Sequence, residues 1–187
     1  MKTLVTVSLS VLALAAGSGA AVLAAPLFHT HADPTARIVP MWAHDYRTLG
    51  AMTADADAVV LARVERTLLG RTVPTTGTAV LPFTYVDLAV EQVLAGSAEA
   101  DITLEQTGGQ LDDASIFASG DGGPYRAGER VVLFLKRQTD TGLFYLAHPK
   151  GRFQVENGRL EALELDDPVA RELDGKLVAD VRLLLKR

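Results

Sequence analysis

Residues 83–107, FTYVDLAVEQVLAGSAEADITLEQT, decide the fold. Side chains alternate across an extended chain, so Val86, Leu88 and Val90 share one face and Tyr85, Asp87, Ala89 and Glu91 the other. Gln92 interrupts the alternation, which predicts a bulge or bend there. Ala95-Gly96 ends the strand. Asp101–Thr107 begins the next one, with Ile102 and Leu104 inward and Thr103 and Glu105 outward.

The same pattern extends in both directions. Ala58–Leu69 opens as AVVLA, apolar on both faces, and then places Val64 in with Arg63 and Glu65 out. Residues 70–82 read as a polar connection with two prolines, and 108–129 as an irregular, glycine-rich centre in which Ile116 and Phe117 pin the chain to the body. Arg130–Arg137 carries VVLFL between charges, the mark of a strand buried on both faces. Leu143–Ala147 is its return. Asn157-Gly158 between two alternating runs predicts a hairpin, because both residues tolerate positive φ. Thr48–Asp55 predicts a short helix with Leu49 and Met52 on one face. The chain ends in an amphipathic helix capped by Asp166 or Asp167, with Pro168 in its first turn. Its stripe is Val169, Leu173, Leu177, Val181 and Leu184, and Gly175 weakens it from within. The expectation is a mainly β protein of about seven short strands, curled into a small antiparallel barrel with a C-terminal amphipathic helix. Strands do not alternate with long helices, which argues against a dinucleotide-binding parallel sheet.

The chain has 187 residues, 18 Lys plus Arg, 23 Asp plus Glu and no Cys, for a net charge of −5. That length suits one domain. Disulfides, thiolate metal sites and a cysteine nucleophile are excluded. The acidic balance argues against a nucleic-acid surface, which needs a basic stripe. Residues 4–25 carry no charge and follow Lys2, the layout of a signal peptide or, uncleaved, a membrane anchor. Residues 1–25 are therefore assigned as signal peptide or anchor, 26–47 as an extended tether with three prolines, and 48–187 as the barrel domain with its helix. The expected location is extracytoplasmic, secreted or tethered by the N-terminal segment, and the only expected membrane contact is through that segment. Arginines outnumber lysines, a composition that suits a GC-rich bacterial genome.

Three runs, ADADAVVLARVERTLLG (54–70), FTYVDLAVEQVLAGSAEADITLEQTGG (83–109) and GERVVLFLK (128–136), together resemble the netrin-like, or tissue-inhibitor-of-metalloproteinase-like, version of the OB-fold barrel. The resemblance covers roughly residues 55–150 and rests on apolar positions and turns. It implies an OB-like barrel used for binding. The animal inhibitors chelate a protease zinc through an N-terminal cysteine. This chain has none, so no inhibitory residue carries over.

Candidate chemistry is sparse. His29, His31 and Asp33 form His-x-His-x-Asp, similar to the opening of the metallo-β-lactamase-type metal site. Pro34 follows where a further ligand is needed, and only His44 and His148 remain, so a polar tether competes with a metal site. Asp112, Asp113 and Asp121 do not match a calcium loop. TGGQ and SGDGGP lack the Lys-Ser/Thr of a phosphate-binding loop. Ser97, Ser115 and Ser119 lie outside any nucleophile-elbow motif. Phe83, Tyr85, Phe117 and Tyr125 are the candidate binding residues, and the two connections 70–82 and 108–129 the candidate contact surface, because binding residues concentrate on loops held by a rigid scaffold. The sequence thus predicts an exported, non-enzymatic binding module without a cofactor, with an extracytoplasmic protein or glycan as partner. A small metal-dependent hydrolase built on the His29 string and a structural envelope protein are the alternatives.

Overall fold

The computed structural model describes residues 35–38, 45–75, 80–111, 114–118, 122–163 and 165–186. The expected leader 1–25 and the string His29, His31, Asp33 lie outside the described residues, as do His44, Asp112, Asp113 and Asp121. No helix among the described residues is long and apolar enough to cross a membrane.

The architecture is mainly β, with antiparallel pairing dominant and a helical C-terminus. The strands are β1 (Thr35–Ile38), β2 (Ala58–Pro74), β3 (Val80–Gly96), β4 (Asp101–Leu111), β5 (Ala114–Ala118), β6 (Arg130–Arg137), β7 (Phe144–Leu146), β8 (Arg152–Glu156) and β9 (Arg159–Ala162). The helices are α1 (Leu49–Asp55), α2 (Pro168–Leu173) and α3 (Val178–Leu184). The pairing order is β1-β5-β4-β3-β2-β6-β8-β9, and β7 pairs with both β4 and β6. Among the described residues two contacts are parallel: β1 with β5, and β4 with β7 at Leu104 opposite Phe144.

Alternation along β2 and β6 divides the core between the two faces of the sheet. Ala58, Val60, Ala62 and Val64 of β2 and Val131, Leu133 and Leu135 of β6 pack with Val86, Leu88, Ile102, Leu104 and Phe144. Val59, Leu61, Val132 and Phe134 turn the other way, against Met52 of α1, Val169 and Leu173 of α2 and Val181 of α3. The run VVLFL is apolar throughout because both of its faces are covered, as its sequence predicts.

Local signals act where expected. Thr48 caps α1, its side chain accepting from the Ala51 amide at 3.1 Å, with Leu49 and Met52 buried. Asn157 (φ 50°) and Gly158 (φ 77°) turn the β8–β9 hairpin. The expected irregularity near Gln92 is a register shift: Leu61 faces Gln92 while Ala62 faces Val90, so Glu91 is the extra residue.

Three elements differ from the sequence reading. Residues 70–82 are not one open connection: the β2–β3 ladder runs on to Pro74 opposite Val80 and forms a long two-stranded arm. The prolines fit because they stand at its last rungs, where few ladder bonds are lost. The segment 108–129 is not wholly irregular, since it contains the end of β4 and all of β5. The C-terminal helix is divided. Gly175 takes φ 69°, its amide donates to the Leu160 carbonyl at 2.8 Å, and an Asp174 carboxylate oxygen accepts the Ala162 amide at 2.9 Å. The break lets residues 174–177 run along the outer edge of β9, and it leaves Leu177 41% exposed outside the buried stripe.

Candidate functional site

A buried arginine organises the site. Arg152, on β8, is 1% exposed. Its guanidinium lies 3.6 Å from the centroid of the Tyr125 ring. Nη1 donates to the Gly123 carbonyl at 2.7 Å, and Nη2 to Glu129 Oε1 at 3.1 Å. Gln106 Nε2 donates to the same Gly123 carbonyl at 2.9 Å. Glu129 also accepts from Gln154 Nε2 at 2.8 Å and from the Arg126 amide at 3.0 Å. Burying a guanidinium is tolerable only when it is paired and hydrogen bonded, and this one is. The network clamps the segment 122–129 onto the sheet. Gly122 sits so close that a Cβ there would meet Leu163 Cδ1 at 2.1 Å.

Tyr125, fixed in this way, is 4% exposed and forms one wall of a cleft of about 480 Å³ together with Pro124. The opposite wall is the arm: Thr67, Leu68 and Leu69 of β2. Thr84, Gln110 and Ser115 come from β3, β4 and β5. The volume lies in the range that accepts a small ligand or a few residues of a peptide. Leu68 and Leu69 are 45% and 66% exposed on the rim. Gly109 makes room for Thr84, whose Oγ1 would stand 2.9 Å from a Cβ at that position and donates to the Gly108 carbonyl at 2.8 Å. The described lining offers hydroxyl, amide and apolar groups, and contains neither carboxylate nor imidazole. It is equipped to hold a ligand by contact and hydrogen bonding.

Phe83 and Tyr85 lie on the other face of β3 from Thr84. The Arg71 guanidinium stands 4.5 Å from the Phe83 ring centroid. Arg71 also forks onto Glu105, Nε to Oε1 at 2.8 Å and Nη2 to Oε2 at 3.0 Å, while Gln138 Nε2 donates to Oε2 at 2.8 Å. Glu105 is 6% exposed, and the Arg71 hydrogen bond holds its carboxyl below the usual carboxylate value against the opposing pull of burial. The described aromatic candidates are divided between two faces of the sheet. Tyr125 belongs to the cleft and Phe83 and Tyr85 to the outer face. The Phe117 backbone pairs in β5 opposite Gly108 and Arg37, and its side chain lies outside the described residues.

His148, the described histidine, is committed to structure. It is 6% exposed, its Nδ1 accepts the Lys150 amide at 3.3 Å, and the Tyr46 ring meets it edge-on with centroids 5.9 Å apart. Lys150 pairs in turn with Asp167, the cap of α2, and with Asp45. Burial, with the neighbouring Lys150 charge, pushes the His148 pKa below its ordinary value. Among the described residues no group of three or more His, Asp or Glu side chains converges on one point.

Arg152 and Glu129 are not among the residues the sequence singles out. Nothing local signals the burial of Arg152 or its pairing with Glu129, because the residues that meet there are distant in sequence. Leu68 and Leu69 did carry a signal. Adjacent leucines break alternation, so one of them must face away from the core. No protein-family model matches this chain, and no curated protein matches it significantly.

Proposed function

We propose that the chain is an exported, non-enzymatic interaction module built on an OB-like, netrin-like barrel, and that the cleft between the β2–β3 arm and Tyr125 is its recognition surface. Support for the barrel comes from the strand path. From β2 it runs through β3 and β4 in one direction and through β6 and β7 in the other, and β7 pairs in parallel with β4. Support for recognition comes from one observation above all: two exposed leucines on the rim of a cleft whose far wall is locked by the pair of buried Arg152 with half-buried Glu129. An apolar rim on a preformed wall limits the ordering cost of binding. The partner class is an extracytoplasmic protein or a glycan.

The test is capture from the cell envelope of the exporting organism, with wild type compared with Leu69→Asp and with Leu183→Asp, which lies on α3 at 66% exposure. Wild type and the Leu183 variant should retain the same partner and the Leu69 variant should lose it. Equal retention by all three removes the cleft from the reading.

A further inference from the structure

The wall of the cleft formed by β2 is also a strand edge. On the side away from β3, β2 pairs with β6 over Ala58–Arg63. One more rung follows, the Val64 amide donating to the Glu129 carbonyl and the Val64 carbonyl accepting from the Gly128 amide, both at 2.8 Å. At Gly128 (φ 85°) the flanking chain turns off. From Glu65 to Pro74 no described strand pairs with this side of β2. Such an edge is a template for another strand.

Register limits what fits there. Shifts at Val64/Arg66 and at Leu69/Thr72 bound a regular stretch around Leu68. Thr67 and Leu69 oppose Val86 and Thr84, and so share a face with Val64, which opposes Leu88. Alternation then aims the backbone groups of Thr67 and Leu69 toward the open edge, as it does those of Val64. Antiparallel pairing with an identical strand must therefore centre on Thr67, Leu68 or Leu69. Centring on Thr67 places Glu65 opposite Leu69 and Arg66 opposite Leu68, and brings no opposite charges together. Centring on Leu69 brings no opposite charges together. Centring on Leu68 places Thr67 opposite Leu69 within the regular stretch and, at its two ends, brings Glu65 at one shift near Arg71 at the other. Glu65 is exposed, and the Arg71 side chain keeps 52% exposure while holding Glu105. Opposite charges facing each other across strands are favourable, and the arrangement is the self-complementary contact of a two-fold dimer.

We infer that a second copy of this chain adds to the edge of β2 about a two-fold axis at Leu68, with Glu65 of each copy against Arg71 of the other. This rests on the reading of the cleft as a recognition surface and names its first occupant. The two bulges keep the contact short, and two-fold closure uses both edges at once, so pairing stops at two copies.

The absence of cysteine makes the register testable. Leu68 would form a non-hydrogen-bonded pair with its counterpart, Cα atoms about 4.5 Å apart, which is within disulfide reach. Full-length Leu68→Cys should oxidise to a covalent dimer much faster than the exposed control Leu183→Cys. Wild type should show concentration-dependent dimers on sedimentation, and Leu68→Lys should weaken them about tenfold or more. Wild type that stays monomeric throughout, or a Leu68→Cys chain that crosslinks no faster than the control, overturns the inference. Monomeric wild type whose capture still depends on Leu69 leaves the module with a different occupant. A dimer whose partner capture ignores Leu69 removes the recognition surface instead.

Discussion

Arg152 shows how one side chain can decide the shape of a loop. It neutralises Glu129, stacks on Tyr125 and holds the Gly123 carbonyl, so three points of the segment 122–129 depend on it. Removing one partner of a buried ion pair leaves an uncompensated charge, which costs more than the pair contributes. Arg152→Met should destabilise the chain by about 3–5 kcal/mol, read from urea denaturation. Arg152→Met with Glu129→Gln should recover much of the loss, because the stranded charge is gone. A double variant no more stable than the single one would place the effect in packing against Tyr125 instead. His148 is a second such residue, since its imidazole caps a turn only while Nδ1 is unprotonated.

The elements show where local pattern reaches its limit. The β8–β9 turn, the N-cap of α1 and the doubly covered β6 follow from adjacent residues, and each was legible in the sequence. The C-terminal stripe was legible in composition but not in continuity. Val169, Leu173 and Val181 are buried as the period predicts, while Leu177 is turned out by the break at Gly175. A glycine inside a helix is tolerated at modest cost, so sequence alone favours one helix over two. The edge of β9 reverses that preference by offering hydrogen bonds to residues 174–177. A Cβ at Gly175 would meet nothing within 4 Å. Gly175→Ala should therefore cost only the left-handed backbone penalty, about 1–2 kcal/mol, without joining α2 to α3. Helical content by circular dichroism should stay unchanged, and a rise would mean that the break is set by glycine alone.

Across the whole molecule, β2 and β6 each serve both halves of the core, so the two faces of the sheet are coupled through shared strands. Local protonation is then felt as global stability. His148 has a folded pKa below 6.5, from burial and from Lys150, with Asp45 and Asp167 opposing. Between that folded value and 6.5 the unfolded chain takes up a proton that the folded chain refuses. The stability contributed by the neutral imidazole is complete above 6.5, falls as the pH drops below it, and levels off once the folded value is passed. His148→Gln, which keeps an acceptor for the Lys150 amide, should flatten this part of the profile. Glu105, Glu91 and Asp87 act in a separate, more acidic window, because their carboxyls sit below their ordinary values of 4.5, 4.5 and 3.8. Their contribution is present above those values and is lost as the pH falls through the lower folded ones. An identical slope in wild type and the His148 variant between neutral pH and the carboxylate window would exclude His148 as its source.

The amino-acid sequence by itself determined which stretches extend, which face the alternating apolar residues of β3 and β4 take, where the tight turn at Asn157-Gly158 falls, and that the protein is mainly β. These depend on the period of neighbouring side chains and on residues whose backbone preferences are their own. Tertiary structure decided the partner of each strand, the length of the arm, the division of the terminal helix, the burial of Arg152 and Glu105, and the cleft that Tyr125 lines while Phe83 and Tyr85 face away from it. Each of those is a contact between residues far apart in the chain. Its free energy depends on what covers a side chain, and no local pattern records that.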